Sequence, residues 1–92
     1  MTNSNNLPEI GDQALQIKTR NDFVNFLKTL LNDYQESKDE WENSTIESFL
    51  NGLIGFTIDA KGYYSNISED IDVENPSWRL FADLLLSARI YE

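Results

Sequence analysis

From Thr19 onward, the apolar positions fall into three runs with helical spacing, separated by polar stretches rich in acids. In the first run, Phe23, Val24, Phe26, Leu27, Leu30, Leu31 and Tyr34 share one broad face when each residue advances by about 100°, with Asn25, Lys28, Asn32 and Glu36 opposite. This predicts a one-sided helix over 19–37. Thr19 is its expected cap, because a threonine hydroxyl accepts a free first-turn N–H while Asp22, three residues on, reaches back.

The second run predicts a helix opening at Ser44, with Glu47 in the S-x-x-E spacing of a capping box. Its expected core face is Ile46, Phe49, Leu50, Leu53, Ile54, Phe56 and Ala60. Ser48, Gly52, Gly55 and Asp59 lie on the other side as a groove of small residues. Each glycine costs a helix interior about 1 kcal/mol relative to alanine, so two of them imply close approach by another body. Gly62 is the expected left-handed end of this helix; the alternative is a helix that continues through Tyr64. Residues 62–75 then form a connection longer than helix–helix links usually are.

The third run has the clearest start, with Asn75 as cap and Pro76 at the first helical position. Counting from Trp78, residues Phe81, Ala82, Leu85 and Ala88 make the expected core face. Leu80, Leu84 and Tyr91 cover a second flank and Leu86 with Ile90 a third, leaving Arg79, Asp83 and Ser87 as a thin polar strip. A helix apolar nearly all round is central in its domain or meets a partner. Arg89 interrupts the core face at about 20° from Trp78 and needs a counter-charge. The candidates are Asp59, Glu42 and the carboxylates at Glu92.

Ahead of these runs, residues 14–18 alternate apolar with polar and are expected as a short extended segment. Residues 1–13, rich in Asn and Ser with one Pro and one Gly, read as a mobile leader. The expected fold class is all-α: a compact bundle of three principal helices with a short extended N-terminal segment, residues 14–92 forming a single helical domain.

Composition narrows the function classes. A chain of 92 residues builds one modest core. Its net charge of −9 disfavours nucleic acid and anionic membrane, and points to a basic protein partner. The longest nearly apolar run, residues 49–58, is about half of the ~20 residues that a membrane-spanning helix needs. With no Cys, disulfides and thiolate metal sites are excluded, which suits the cytoplasm, as does a start without a secretory signal pattern. With no His either, a Ser-His-Asp triad cannot form, and no catalytic residue, metal or cofactor is expected.

Two acidic clusters remain. The run 69–74 fails as an EF-hand loop, because it lacks the glycine at the sixth position and carries Pro76 at the seventh. Asp33, Glu36, Asp39, Glu40 and Glu42 gather at the end of the first helix, where negative charge opposes the helix dipole and no nearby residue compensates it. Trp41, Tyr63, Tyr64, Trp78 and Tyr91 offer large area with a polar tip. Of these, Trp78 is expected in the core and one of Tyr63 and Tyr64 partly exposed. Trp41, Tyr63 and Tyr64 are expected to share one aromatic–acidic end. The candidate binding residues are Trp41, Glu42, Tyr63, Tyr64 and Arg89.

Taken together, Glu40-Trp41-Glu42-Asn43, Gly62-Tyr63-Tyr64 and Pro76-Ser77-Trp78-Arg79-x-Phe81-Ala82-x-x-Leu85-x-x-Ala88-Arg89-x-Tyr91-Glu92 resemble a family of small acidic bacterial proteins of unassigned function. The resemblance covers about residues 17–92 and implies a mostly helical bacterial cytoplasmic protein, with no catalytic residues to carry over. The leading functional expectation is an acidic protein-binding module, immunity-like or regulatory, that meets a basic partner. One alternative is a small-molecule or metal-binding enzyme using carboxylates and Arg89 as an anion clamp. Another is a self-associating protein, a homodimer through Gly52 and Gly55 or through the spare apolar flank of the third helix.

Overall fold

The computed structural model describes residues 9–92 and contains four α-helices: α1, Ile10–Leu15; α2, Arg20–Ser37; α3, Ile46–Asn66; and α4, Trp78–Ala88. A 3₁₀ turn, Lys38–Glu40, follows α2. The all-α class and the three principal helices are as the periodicity predicts. Thr19 caps α2 as expected: its hydroxyl accepts the Asp22 N–H at 3.0 Å, and the Asp22 carboxylate accepts the N–H groups of Lys18 and Thr19. Those backbone donors, Lys18 foremost, hold the Asp22 carboxyl below the usual carboxylate range.

Several element ends differ from expectation, each for a local reason. Residues 14–18 are not an extended segment, since Ala14 and Leu15 close α1. Ile10, Ala14 and Ile17 follow helical spacing and pack against Phe26, Leu30 and Ala82, whereas Leu15 points outward at 55% exposure. Of the leader expected over 1–13, residues 1–8 lie outside the described residues, and Ile10 opens α1. The capping box of α3 is shifted by one residue to Thr45 and Ser48, which exchange backbone and hydroxyl bonds at 3.1 Å. Gly62 does not end α3. The helix runs on to Asn66, and the left-handed residue after it is Ser68, at φ 58°. At α4 the cap is Ser77 rather than Asn75: its Oγ accepts the Leu80 N–H at 3.0 Å. Asn75 is drawn into the preceding turn, where its side chain donates to Asp72 at 2.5 Å. That bond leads the contacts that lower the Asp72 pKa.

The central position expected for the last helix holds. α4 packs on α1, α2 and α3, while α2 and α3 do not pack directly on each other. One flank of α4, with Trp78, Ala82 and Leu85, closes the cluster of Ala14, Ile17, Phe26 and Leu30. The other, with Leu80, Leu84 and Tyr91, closes the cluster of Phe56, Ala60 and Tyr64. Trp78 is only half-buried; it sits against Phe23, with ring centroids 5.3 Å apart, at the edge of the first cluster. Phe81 stays 38% exposed beside it.

The buried face of α3 is displaced from the expected one. Phe56 and Ala60 are buried as expected, joined at four-residue spacing by Gly52 and Tyr64, whereas the expected core residues Ile46, Leu50 and Ile54 are 73%, 48% and 59% exposed, as is Ile58 at 74%. The small side wins because the backbone at the end of α4 comes closer than any side chain would allow. A Cβ on Gly52 would lie 2.6 Å from the Ala88 carbonyl oxygen and 2.6 Å from the Asn43 amide nitrogen, and one on Gly55 would lie 3.2 Å from the Tyr91 ring. The body implied by the two glycines is therefore the chain's own C-terminal segment. It fills the face expected for a Gly52/Gly55 homodimer.

The two interior glycines at 52 and 62 should respond oppositely to alanine. Gly52→Ala overpacks a backbone contact and is expected to destabilise by about 1–3 kcal/mol. Gly62→Ala, with nothing within 4 Å, is expected to stabilise by about 0.5–1 kcal/mol through helix propensity. Urea unfolding of the two variants checks both signs.

Candidate functional site

Because α2 and α3 do not pack on each other, apolar surface that each does not spend on α4 faces an open groove of about 370 Å³. α2 lines it with Leu27, Leu30, Leu31 and Tyr34, α3 with Ile46 and Phe49, and the connection between them closes one end with Trp41 and residues 43–45. Leu30 is buried beneath it, while Leu27 and Leu31 remain 38% and 57% exposed. The closed end is aromatic. Trp41 meets Tyr34 edge-on, with centroids 5.0 Å apart, and stacks on Phe49 at 5.7 Å. The Tyr34 hydroxyl donates to the Ser44 carbonyl at 3.0 Å, tying α2 to the approach to α3.

Trp41 and Arg89 meet at Asp33. The indole N–H donates to the Asp33 carboxylate at 2.8 Å, and an Arg89 guanidinium nitrogen donates to the same oxygen at 3.0 Å. Arg89 Nε donates to the Leu86 carbonyl at 2.8 Å, and its guanidinium carbon lies 5.9 Å from the Trp41 ring centroid. The counter-charge is thus Asp33, not Asp59, Glu42 or the chain end. This pair also answers the acidic end of α2, since the compensating charge arrives from the far end of the sequence. Two of the three guanidinium nitrogens of Arg89 are thus held within the chain, by Asp33 and by the Leu86 carbonyl.

Asn43 holds the same corner together. It is buried, and its side-chain amide donates to the carbonyls of Ala88 at 2.9 Å and Tyr91 at 2.8 Å, while its own N–H donates to the Arg89 carbonyl at 2.8 Å. The Ala88 and Arg89 carbonyls are ones that the end of a helix leaves without intrahelical partners, and Tyr91 lies just beyond it. Asn43 is absent from the expected binding set. Its signal was available in the Glu40-Trp41-Glu42-Asn43 stretch, but nothing local shows that one amide serves residues so distant in sequence.

The expected aromatic–acidic end does not form as one site. Trp41 precedes α3 and stacks on Phe49 near its start, whereas Tyr63 and Tyr64 lie in its last turn, roughly 20 Å further along the axis. Glu42 is exposed and Tyr63 is 43% exposed, as expected for one of the tyrosine pair. Tyr64 is buried and donates to Asp83 at 2.5 Å. Arg79 lies 3.5 Å from Asp83 and 3.2 Å from Glu69, closing a polar cluster between α3 and α4. Burial raises the Asp83 carboxyl above the usual carboxylate range, against the lowering effects of Tyr64 and Arg79. Burial and the bond to Asp83 push the Tyr64 hydroxyl up. The Tyr91 hydroxyl donates to Asp59, and this bond raises its pKa as well.

Removing the amide in Asn43→Ala leaves two carbonyls unpaired and is expected to cost about 2–4 kcal/mol, read by denaturant unfolding. At Asp83 the expected effect depends on pH. An acid whose folded pKa exceeds its unfolded value favours folding below that window and loses this contribution as pH rises through it. The stability of the wild type relative to Asp83→Asn should therefore rise as pH falls from 7 toward 4, which parallel unfolding curves at several pH values will show.

Among the described residues, no helix is long and apolar enough to cross a membrane. Comparison with curated proteins and with solved structures returns no match. Residues 19–92, from the cap of α2 through the Asn43 and Arg89 corner to the last residue, match the sequence model of a family of unknown function (DUF7660), and the chain belongs to that family.

Proposed function

We propose that the chain is a protein-binding module, regulatory or immunity-like, whose groove between α2 and α3 takes an apolar segment of a basic protein. The observation that carries this reading is the groove itself. Two helices leave Leu27, Leu31 and Ile46 open toward a common cleft instead of closing on each other. Apolar surface left contiguous in this way marks an interaction site in a folded chain. Trp41, stacked and half-buried at the closed end, has the character of an interface anchor.

Charge supports the partner class. Glu36, Asp39, Glu40 and Glu42, all exposed, lie along the segment that leads to the closed end of the groove, with Lys38 as the base among them. A partner with apolar anchors and flanking Lys or Arg side chains would be steered by this field and seated by the groove. The cysteine-free composition suits a reducing cytoplasm.

The test is affinity capture from cells by the immobilised wild type and by Leu31→Asp, whose exposed position leaves the core intact. The expected result is a basic protein retained at 50 mM NaCl, reduced roughly tenfold or more at 500 mM, and not retained by the variant. Retention indifferent to both salt and Leu31 would overturn the reading.

A further inference from the structure

The outward face of α3 carries a second apolar surface, separate from the groove walls on α2. Leu50, Ile54 and Ile58 are 48%, 59% and 74% exposed, with Ile54 nearly opposite the buried Gly52 and Phe56 around the helix. The whole of α3 bears only Glu47, Asp59 and Lys61 as charges, in a chain of net charge −9. Glu47 and Lys61 lie at equal offsets on either side of Ile54, about 10 Å along the axis and about 20° around it. Both are exposed, and neither forms an ion pair within the chain among the described residues.

We infer that this face is the interface of a homodimer, in which two α3 helices pack antiparallel about a two-fold axis through Ile54. Antiparallel pairing about that residue sets Ile54 on the second copy's Ile54 and Leu50 on the second copy's Ile58. It also sets Glu47 against the second copy's Lys61, and by symmetry Lys61 against the second copy's Glu47. An isologous contact must be complementary to itself. Opposite charges at equal distances from one apolar centre supply that complementarity. The low charge of the face spares it the repulsion that the rest of the acidic surface would impose on a second copy. A basic partner would find little to pair with here, in contrast to the acid-rich closed end of the groove.

The experiment is sedimentation equilibrium of the full chain from about 5 to about 500 μM, a range that brackets the weak affinity expected of a small helix–helix interface. The wild type should pass from monomer to dimer within it, and Ile54→Asp should remain monomeric with unchanged helical circular dichroism. Glu47→Lys and Lys61→Glu each set like charges opposite one another twice, and each alone should weaken dimerisation about tenfold. An equimolar mixture of these two variants restores both opposite-charge pairs and should dimerise as the wild type does. Since Glu47 and Lys61 are some 20 Å apart within one helix, rescue by mixing can only be intermolecular. A wild type that is monomeric throughout, a dimer indifferent to Ile54→Asp, or a mixture no better than its components would each overturn the inference.

Discussion

Asn43 is the residue on which the arrangement of the helices turns. Its side-chain amide and backbone N–H together take the carbonyls of Ala88, Arg89 and Tyr91, so the end of α4 is pinned to the start of α3 by three hydrogen bonds from one residue. Buried carbonyls left without donors are costly, which gives this corner little freedom to rearrange. Gly52 is its steric counterpart, since its missing side chain makes room for both the Ala88 carbonyl and the Asn43 amide. The amide and the glycine select one approach of α4 to α3, and the Arg89–Asp33 pair then draws in α2.

The groove is a consequence of that corner. α4 packs on both α2 and α3, which do not pack on each other and are linked through the Tyr34, Trp41 and Phe49 rings and the Tyr34–Ser44 bond. Leu27, Leu31 and Ile46 would be core residues in a bundle whose helices closed on each other; here they line an opening. The charged groups follow the same logic. Arg89 and Asp33 pair at the edge of the core, which supplies the counter-charge that the position of Arg89 on the helix calls for. The exposed acids nearby form no ion pair among the described residues.

At the opposite end of α3, Tyr64, Asp83, Arg79 and Glu69 form a separate polar lock between α3 and α4. The two ends differ in character. The Asn43 end combines neutral hydrogen bonds to backbone with the Arg89–Asp33 pair, whereas the Tyr64 end depends on a carboxylate whose charged form is disfavoured by burial.

Three helices, the Thr19 cap and the central place of α4 were legible in the sequence, because periodicity and capping are local: they depend on which side chains recur every three to four residues and on the N–H groups of one turn. Arg89 could likewise be picked out as a charge needing a partner. Its partner could not, since Asp33 lies 56 residues away and only packing brings the two together. The same limit hid the true buried face of α3. Ile46, Leu50 and Ile54 extend the expected stripe by hydrophobicity, and only the approach of the Ala88 carbonyl to Gly52 shifts the buried face toward the glycine side. Local chemistry thus determined the elements, while close contact between distant backbones decided which faces were buried and which were left open.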